Sequence, residues 1–101
     1  MADLQPDELQ TIKGILTALA PDCEARAFGS RVPGPAKKYA DLDLALLGPQ
    51  SLGIRRLAAI KEAFEESTLP FRVDLLDYSQ ASVEFKQVIL KNFEVLKAPD
   101  S

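Results

Sequence analysis

The sequence predicts an α/β (α+β) domain: a mixed sheet of three to four strands packed with about three helices. Three observations point there. Apolar residues recur with helical spacing in three stretches and with strand spacing in three others, in the order helix, strand, strand, helix, strand, helix. Proline, glycine and polar turn residues bound each stretch. The chain's 101 residues, 47% of them hydrophobic, suffice for one core and are too few for two. Residues 1–101 are therefore expected to form a single domain with a core of about 6–96.

The first helix is expected over residues 6 to 20. Pro6 suits its first position, Asp7 and Glu8 favour its positive end, and Leu9, Ile12, Leu16 and Leu19 repeat on one side. Pro21-Asp22 stops it, and Glu24 to Phe28 reads as a short strand entering Gly29-Ser30. Arg31 to Ala40 carries Pro33, Gly34 and Pro35 and reads as loop. From Asp41 to Leu47 the pattern alternates, with Leu42, Leu44 and Leu46 on one face and Asp41, Asp43 and Ala45 on the other. Ser51 is placed as the cap of a second helix reaching about Ser67, with Leu57, Ile60 and Phe64 inward. A third strand, Phe71 to Leu76, sets Arg72, Asp74 and Leu76 on one face. A third helix runs from about Gln80 to Lys91 with Phe85, Val88 and Ile89 inward. Asn92 is taken as a left-handed cap, and Phe93 to Leu96 as a short edge strand.

Composition narrows the chemistry. There is no histidine, which removes Ser-His-Asp and Cys-His triads, the imidazole base and nearly all zinc sites. Carboxylates, hydroxyls, lysine, arginine or a metal must do the work. One cysteine, Cys23, allows no internal disulfide, and nothing basic flanks it to activate its thiol. No apolar run approaches a membrane span and the opening residues lack a signal-peptide pattern, so a cytoplasmic protein is expected. A net charge of −3 argues against direct nucleic-acid binding, though bound Mg²⁺ lets an acidic protein handle polyphosphate.

Asp41, Asp43 and Asp74 carry the strongest signal. The first two share a strand face, and two close carboxylates repel unless a cation sits between them. Such oxygen ligands suit Mg²⁺, and a third carboxylate on a neighbouring strand completes a two-metal site. The Asp-x-Asp pair alone says little: eight aspartates in 101 residues give about 0.6 such pairs by chance. Gly29-Ser30 followed by ten residues and then the pair is a different matter, with a chance of roughly two in a thousand. A glycine there permits close backbone approach, and free N–H groups can face a phosphate.

Gly29-Ser30, ten intervening residues and Asp41-Leu42-Asp43 resemble the signature of the polymerase-beta-type nucleotidyltransferase superfamily. Phe28-Gly29-Ser30-Arg31 and Leu42-Asp43-Leu44 resemble its minimal branch, and Arg72-Val73-Asp74-Leu75-Leu76 is similar to the strand bearing that family's third aspartate. The resemblance covers about Glu24 to Leu96. It implies the nucleotidyltransferase fold, with Asp41, Asp43 and Asp74 as catalytic metal ligands and Asp74 assisting deprotonation of an acceptor hydroxyl. It further implies that Gly29 and Ser30 cradle the β- and γ-phosphates of an NTP, with Arg31 nearby. ATP is the default donor, and Mg²⁺ the cofactor. Relatives of this size are often antitoxins of small helical HEPN-domain toxins, which they neutralise by adenylylation or by binding. Ala40 stands where relatives often have serine, and Pro33 and Pro35 flank Gly34 where they usually have Arg-Gly and small residues.

The expected function is thus Mg²⁺-dependent transfer of a nucleoside monophosphate, AMP from ATP, to a hydroxyl of a partner protein. The chain has no room for an acceptor domain, so a partner, a HEPN-type protein or a second copy, should supply that surface. The alternative is a catalytically silent module that neutralises its partner by forming a complex. Among the remaining residues, Lys37, Lys38, Arg55 and Arg56 read as solvated surface and Tyr39 as packing beside the motif. Arg72 reads as a screen for Asp74, and Asp77 as a cap or turn residue.

Overall fold

The computed structural model describes residues 4–29 and 41–99. Helix α1 (Pro6–Leu19) leads into strand β1 (Glu24–Phe28); β2 (Leu42–Leu47), α2 (Ile54–Glu65) and β3 (Val73–Asp77) follow. A turn of 3₁₀ helix (Tyr78–Gln80), α3 (Val83–Lys91) and β4 (Phe93–Lys97) come next. The sheet runs β3-β2-β1-β4. β1 is antiparallel to both β2 and β4, and β2 is parallel to β3. Among the described residues, a mixed four-stranded sheet with three helices is the architecture the sequence predicts. A parallel neighbour demands a crossover, which α2 supplies.

The leucine-rich face of β2 organises the core. Leu42, Leu44 and Leu46 are wholly buried, together with Ile12 and Leu16 of α1, Ala27 of β1 and Ile60 of α2. Helices α1 and α2 thus cover one face of the sheet. Ala45 and Ile89, also wholly buried, stand outside that cluster. Two polar devices tie the layers. Arg56 grips Asp22 through both terminal nitrogens and reaches the Leu19 carbonyl at 3.3 Å, joining α2 to the turn after α1. The Lys97 ammonium, almost out of solvent, donates to the carbonyls of Pro21, Cys23 and Ala98 at 3.0–3.1 Å and so fixes the end of β4. Arg56 is therefore a tether, where the sequence suggested an exposed side chain. Cys23 is buried, and burial pushes its thiol up, in keeping with an inert residue.

Other departures have local causes. Ser51 does not cap α2; the cap position is Gly53, at φ +83°, and the helix starts at Ile54. The Ser51 hydroxyl instead donates to Asp77, 2.9 Å away. Helix α3 begins at Val83 because Ser82 caps it, its hydroxyl accepting the Phe85 N–H at 3.1 Å. Asn92 is extended (φ −157°, ψ 100°), not left-handed. Of the three residues expected to face inward on α3, only Ile89 is buried; Phe85 is 41% and Val88 57% exposed.

Asp77 shows how one buried carboxylate is kept charged. Burial opposes its ionisation, but bonds from the Ser79 hydroxyl (2.8 Å), Leu52 N–H (2.9 Å), Ser51 hydroxyl (2.9 Å) and Ser79 N–H (3.1 Å) outweigh that and hold its pKa below the usual value. A depressed folded-state pKa contributes stability above the ordinary carboxylate range, which is lost as pH falls through the folded value. Asp77→Ala is expected to cost about 1–3 kcal/mol at pH 7 by stranding these donors. Urea unfolding at pH 7 and near pH 3 checks this, with a smaller difference between mutant and wild type at the acid end.

Candidate functional site

The site arises where three strands run side by side. In the β1/β2 pairing Phe28 stands opposite Asp43, and in the β2/β3 pairing Asp43 stands opposite Asp74. Neighbouring strands lie about 4.8 Å apart, so the two carboxylates rise from adjacent positions on one face. That face is opposite the leucines of β2. Asp41, one residue before β2, is exposed at the strand's entrance.

Gly29 makes the crowding possible. It ends β1 at φ +83°, a left-handed conformation that glycine adopts freely. A Cβ placed there would fall 2.2 Å from Asp43 Oδ2 and 3.1 Å from its Cγ. The missing side chain is therefore space filled by the Asp43 carboxylate. The sequence suggests this glycine for close approach to a phosphate; the close approach in the structure is to Asp43.

Electrostatics at Asp43 are unfavourable to charge. Asp43 has its pKa raised, first by burial, then by the negative charges of Asp74 and Asp41. Asp74 is engaged by Arg72, whose Nε lies 3.0 Å from its Oδ1. The screening role suggested for Arg72 is realised. Among the described residues, no group of three or more His, Cys, Asp or Glu side chains is gathered as though around an ion. Asp43 and Asp74 are brought together, and Asp41 stands beside them.

A cleft of about 580 Å³ opens on this face, lined by Gly29, Asp43 and Asp74 together with the apolar side chains of Phe28, Phe85 and Val88. Phe28 and Phe85 meet edge to face, centroids 5.8 Å apart. The sequence did not single out this apolar wall. Phe28 faces the aspartates only through the β1/β2 register, which has no local signature, and Phe85 and Val88 read as core from their helical spacing. Ser30, Arg31, Lys37, Lys38 and Tyr39 lie outside the described residues, so Gly29 is the one described member of the expected phosphate-binding trio.

Adjacent carboxylates, one of them raised in pKa first by burial and then by its neighbours, present hard oxygens of the kind that suits a small divalent cation. The sequence profile of the family described as Polymerase beta, Nucleotidyltransferase matches residues 10–101. The chain belongs to that family. As a nucleotidyltransferase it is 47% identical, over 95 residues, to a Haemophilus influenzae protein named Probable protein adenylyltransferase MntA, covering 94% of this chain and 83% of the relative. Its fold is that of a chain in the crystal structure of a toxin-antitoxin with AMP-PNP, with a TM-score of 0.76 and 24% identity over 91% of this chain and 74% of that one. A second structure, of a tri-AMPylated Shewanella oneidensis HEPN toxin in complex with MNT antitoxin, aligns with a TM-score of 0.69 and 23% identity, covering 89% of this chain and 69% of that one. At those identities the two structures establish the nucleotidyltransferase fold alone.

The raised Asp43 pKa gives a stability prediction. A carboxylate raised on folding binds its proton more tightly in the folded state, so stability falls as pH rises from the ordinary aspartate pKa through the folded one. Asp43→Asn is expected to raise the metal-free melting temperature at pH 7 by several degrees, the scale of about 1 kcal/mol in a domain this size. Calorimetry across pH should show the gain disappearing below about pH 3.5, where the wild-type carboxyl is protonated in both states.

Proposed function

We propose that this nucleotidyltransferase is Mg²⁺-dependent and moves AMP from ATP onto a hydroxyl of a partner protein, acting as the antitoxin of a small helical HEPN-domain toxin. The observation that carries the reading is the pairing of Asp43 with Asp74 across β2 and β3, beside a glycine whose missing Cβ leaves room for the Asp43 carboxylate. The partner and acceptor class follow from the 47% identical relative's name, protein adenylyltransferase, and from the HEPN complex among the structural neighbours. The AMP-PNP complex supports ATP as donor.

The donor set fits Mg²⁺: carboxylate oxygens only, with burial and then mutual repulsion raising the Asp43 pKa. Asp41, Asp43 and Asp74 would hold the metal, which when bound neutralises triphosphate charge and favours the ionised acceptor hydroxyl. The residues themselves position and exchange protons. Gly29, with Ser30 and Arg31, cradles the β- and γ-phosphates. Asp74 accepts the proton of the acceptor hydroxyl as its oxygen attacks the α-phosphorus in line. The bond to the bridging oxygen breaks, and pyrophosphate leaves with its electron pair. The apolar side chains of Phe28, Phe85 and Val88, which line the same cleft as the carboxylates, limit the water around the reacting groups.

The chain acts as a single domain, core about 6–96, in the cytoplasm where ATP and Mg²⁺ are supplied. Among the described residues no helix is long and apolar enough to cross a membrane. A second reading, neutralisation by complex formation without catalysis, draws on the exposed apolar side chains of α3 and β4: Val83, Val88, Leu90 and Val95.

The deciding experiment incubates the chain and its co-encoded partner with α-labelled ATP and Mg²⁺, comparing wild type with Asp41→Asn/Asp43→Asn. Transfer of label to the partner, reduced at least 100-fold in the double mutant, is expected, with toxicity returning in cells that carry the mutant. Undiminished neutralisation by the mutant, with no label transferred by wild type, sinks the enzymatic reading in favour of the binding one.

A further inference from the structure

The ion pair at Asp74 is built into the sheet. Arg72 and Asp74 are two apart along one strand direction, so their side chains share a face. The Arg72 backbone is fixed independently of the pair, its carbonyl accepting the Leu42 N–H at 2.9 Å and carrying the β2/β3 pairing one step beyond Val73. The guanidinium is therefore delivered to Asp74 by the same register that brings Asp74 to Asp43. The pair is open to solvent, with the Arg72 side chain 76% and that of Asp74 40% exposed, so a competing cation can reach it.

We propose that Arg72 is a positioning residue that occupies Asp74 in the metal-free site and competes with the divalent cation for that carboxylate. This rests on the reading of Asp41, Asp43 and Asp74 as the metal-holding set. A carboxylate oxygen already accepting from a guanidinium offers a cation less, so taking up metal requires the Arg72–Asp74 contact to open. Arg72 lowers the affinity of the resting site for metal alone while holding the Asp74 carboxylate in place beside Asp43. A merely exposed charge would act differently. Lys61 lines the same 610 Å³ cavity beside β3 as Arg72 and Asp74, and it provides a control of equal charge.

The probe is Mn²⁺ alone, titrated into the full chain and followed by electron paramagnetic resonance. Wild type is compared with Arg72→Gln, Arg72→Lys, Lys61→Gln, Asp74→Asn and the double variant Arg72→Gln/Asp74→Asn. Arg72→Gln is expected to bind Mn²⁺ about two- to five-fold more tightly, the range that an exposed pair contributes. Arg72→Lys should fall between it and wild type, and Lys61→Gln should leave the affinity nearly unchanged. In the Asp74→Asn background, Arg72→Gln should change nothing. The proposal is overturned if Arg72→Gln leaves the affinity unchanged or weakens it, or tightens it equally without Asp74, which would be a long-range charge effect. Asp41→Asn/Asp43→Asn separates the two levels of the argument. If Mn²⁺ binding is present in wild type and lost in that variant, the metal site stands and the Arg72 variants decide alone. If wild type binds no Mn²⁺, both readings fall.

Discussion

The parallel pairing of β2 with β3 is the constraint on which the rest of the structure depends. It sets Asp43 beside Asp74, and it does so only because Leu42, Leu44 and Leu46 hold β2 in register on the other face. A one-residue slip would turn the aspartates into the core and the leucines into the cleft. The hydrophobic face thus specifies the position of the acidic one. Helix α2 is needed twice, as the crossover that parallel strands require and as the cover over the leucines through Ile60 and Phe64.

Two aspartates, Asp77 on β3 and Asp43 on β2, illustrate how differently the fold treats a carboxylate taken from solvent. Asp77 is surrounded by donors from Ser51, Leu52 and Ser79, and its charge is favoured. Asp43, opposite Asp74, meets burial and two like charges, and its charge is disfavoured. The first pattern is structural: every donor comes from the chain itself. The second leaves a demand for positive charge that Arg72 meets only at Asp74. Sites that sacrifice stability in this way are where function is commonly found.

Much of this was legible in the sequence, for physical reasons. The stretch between Pro21-Asp22 and Gly29-Ser30 reads as a strand with the observed ends of β1, and the leucine alternation that defines the core face of β2 places Asp43 on the opposite face. What stayed hidden depends on contacts distant in the chain. Ser51 looks like a helix cap by local chemistry, but Asp77, 26 residues away, takes its hydroxyl. Arg56 reads as surface until Asp22 is folded beside it. Phe85 and Val88 carry a helical apolar period, which does not distinguish a core from the wall of an open cleft. The spacing of Gly29-Ser30 from Asp41 and Asp43 marked the site, but the room Gly29 leaves for Asp43 could be seen only in three dimensions. Ser30 and Arg31 lie outside the described residues, and their part remains a proposal.

The central claim is that repulsion among the aspartates is relieved by a bound divalent cation. Its most direct test is the melting temperature of the full chain as Mg²⁺ is raised from zero to about ten millimolar at constant ionic strength. A ligand that binds only the folded state stabilises it by mass action. The account predicts a rise of several degrees in wild type and none in Asp41→Asn/Asp43→Asn. Equal curves for the two proteins, whether both rise or both stay flat, would contradict it.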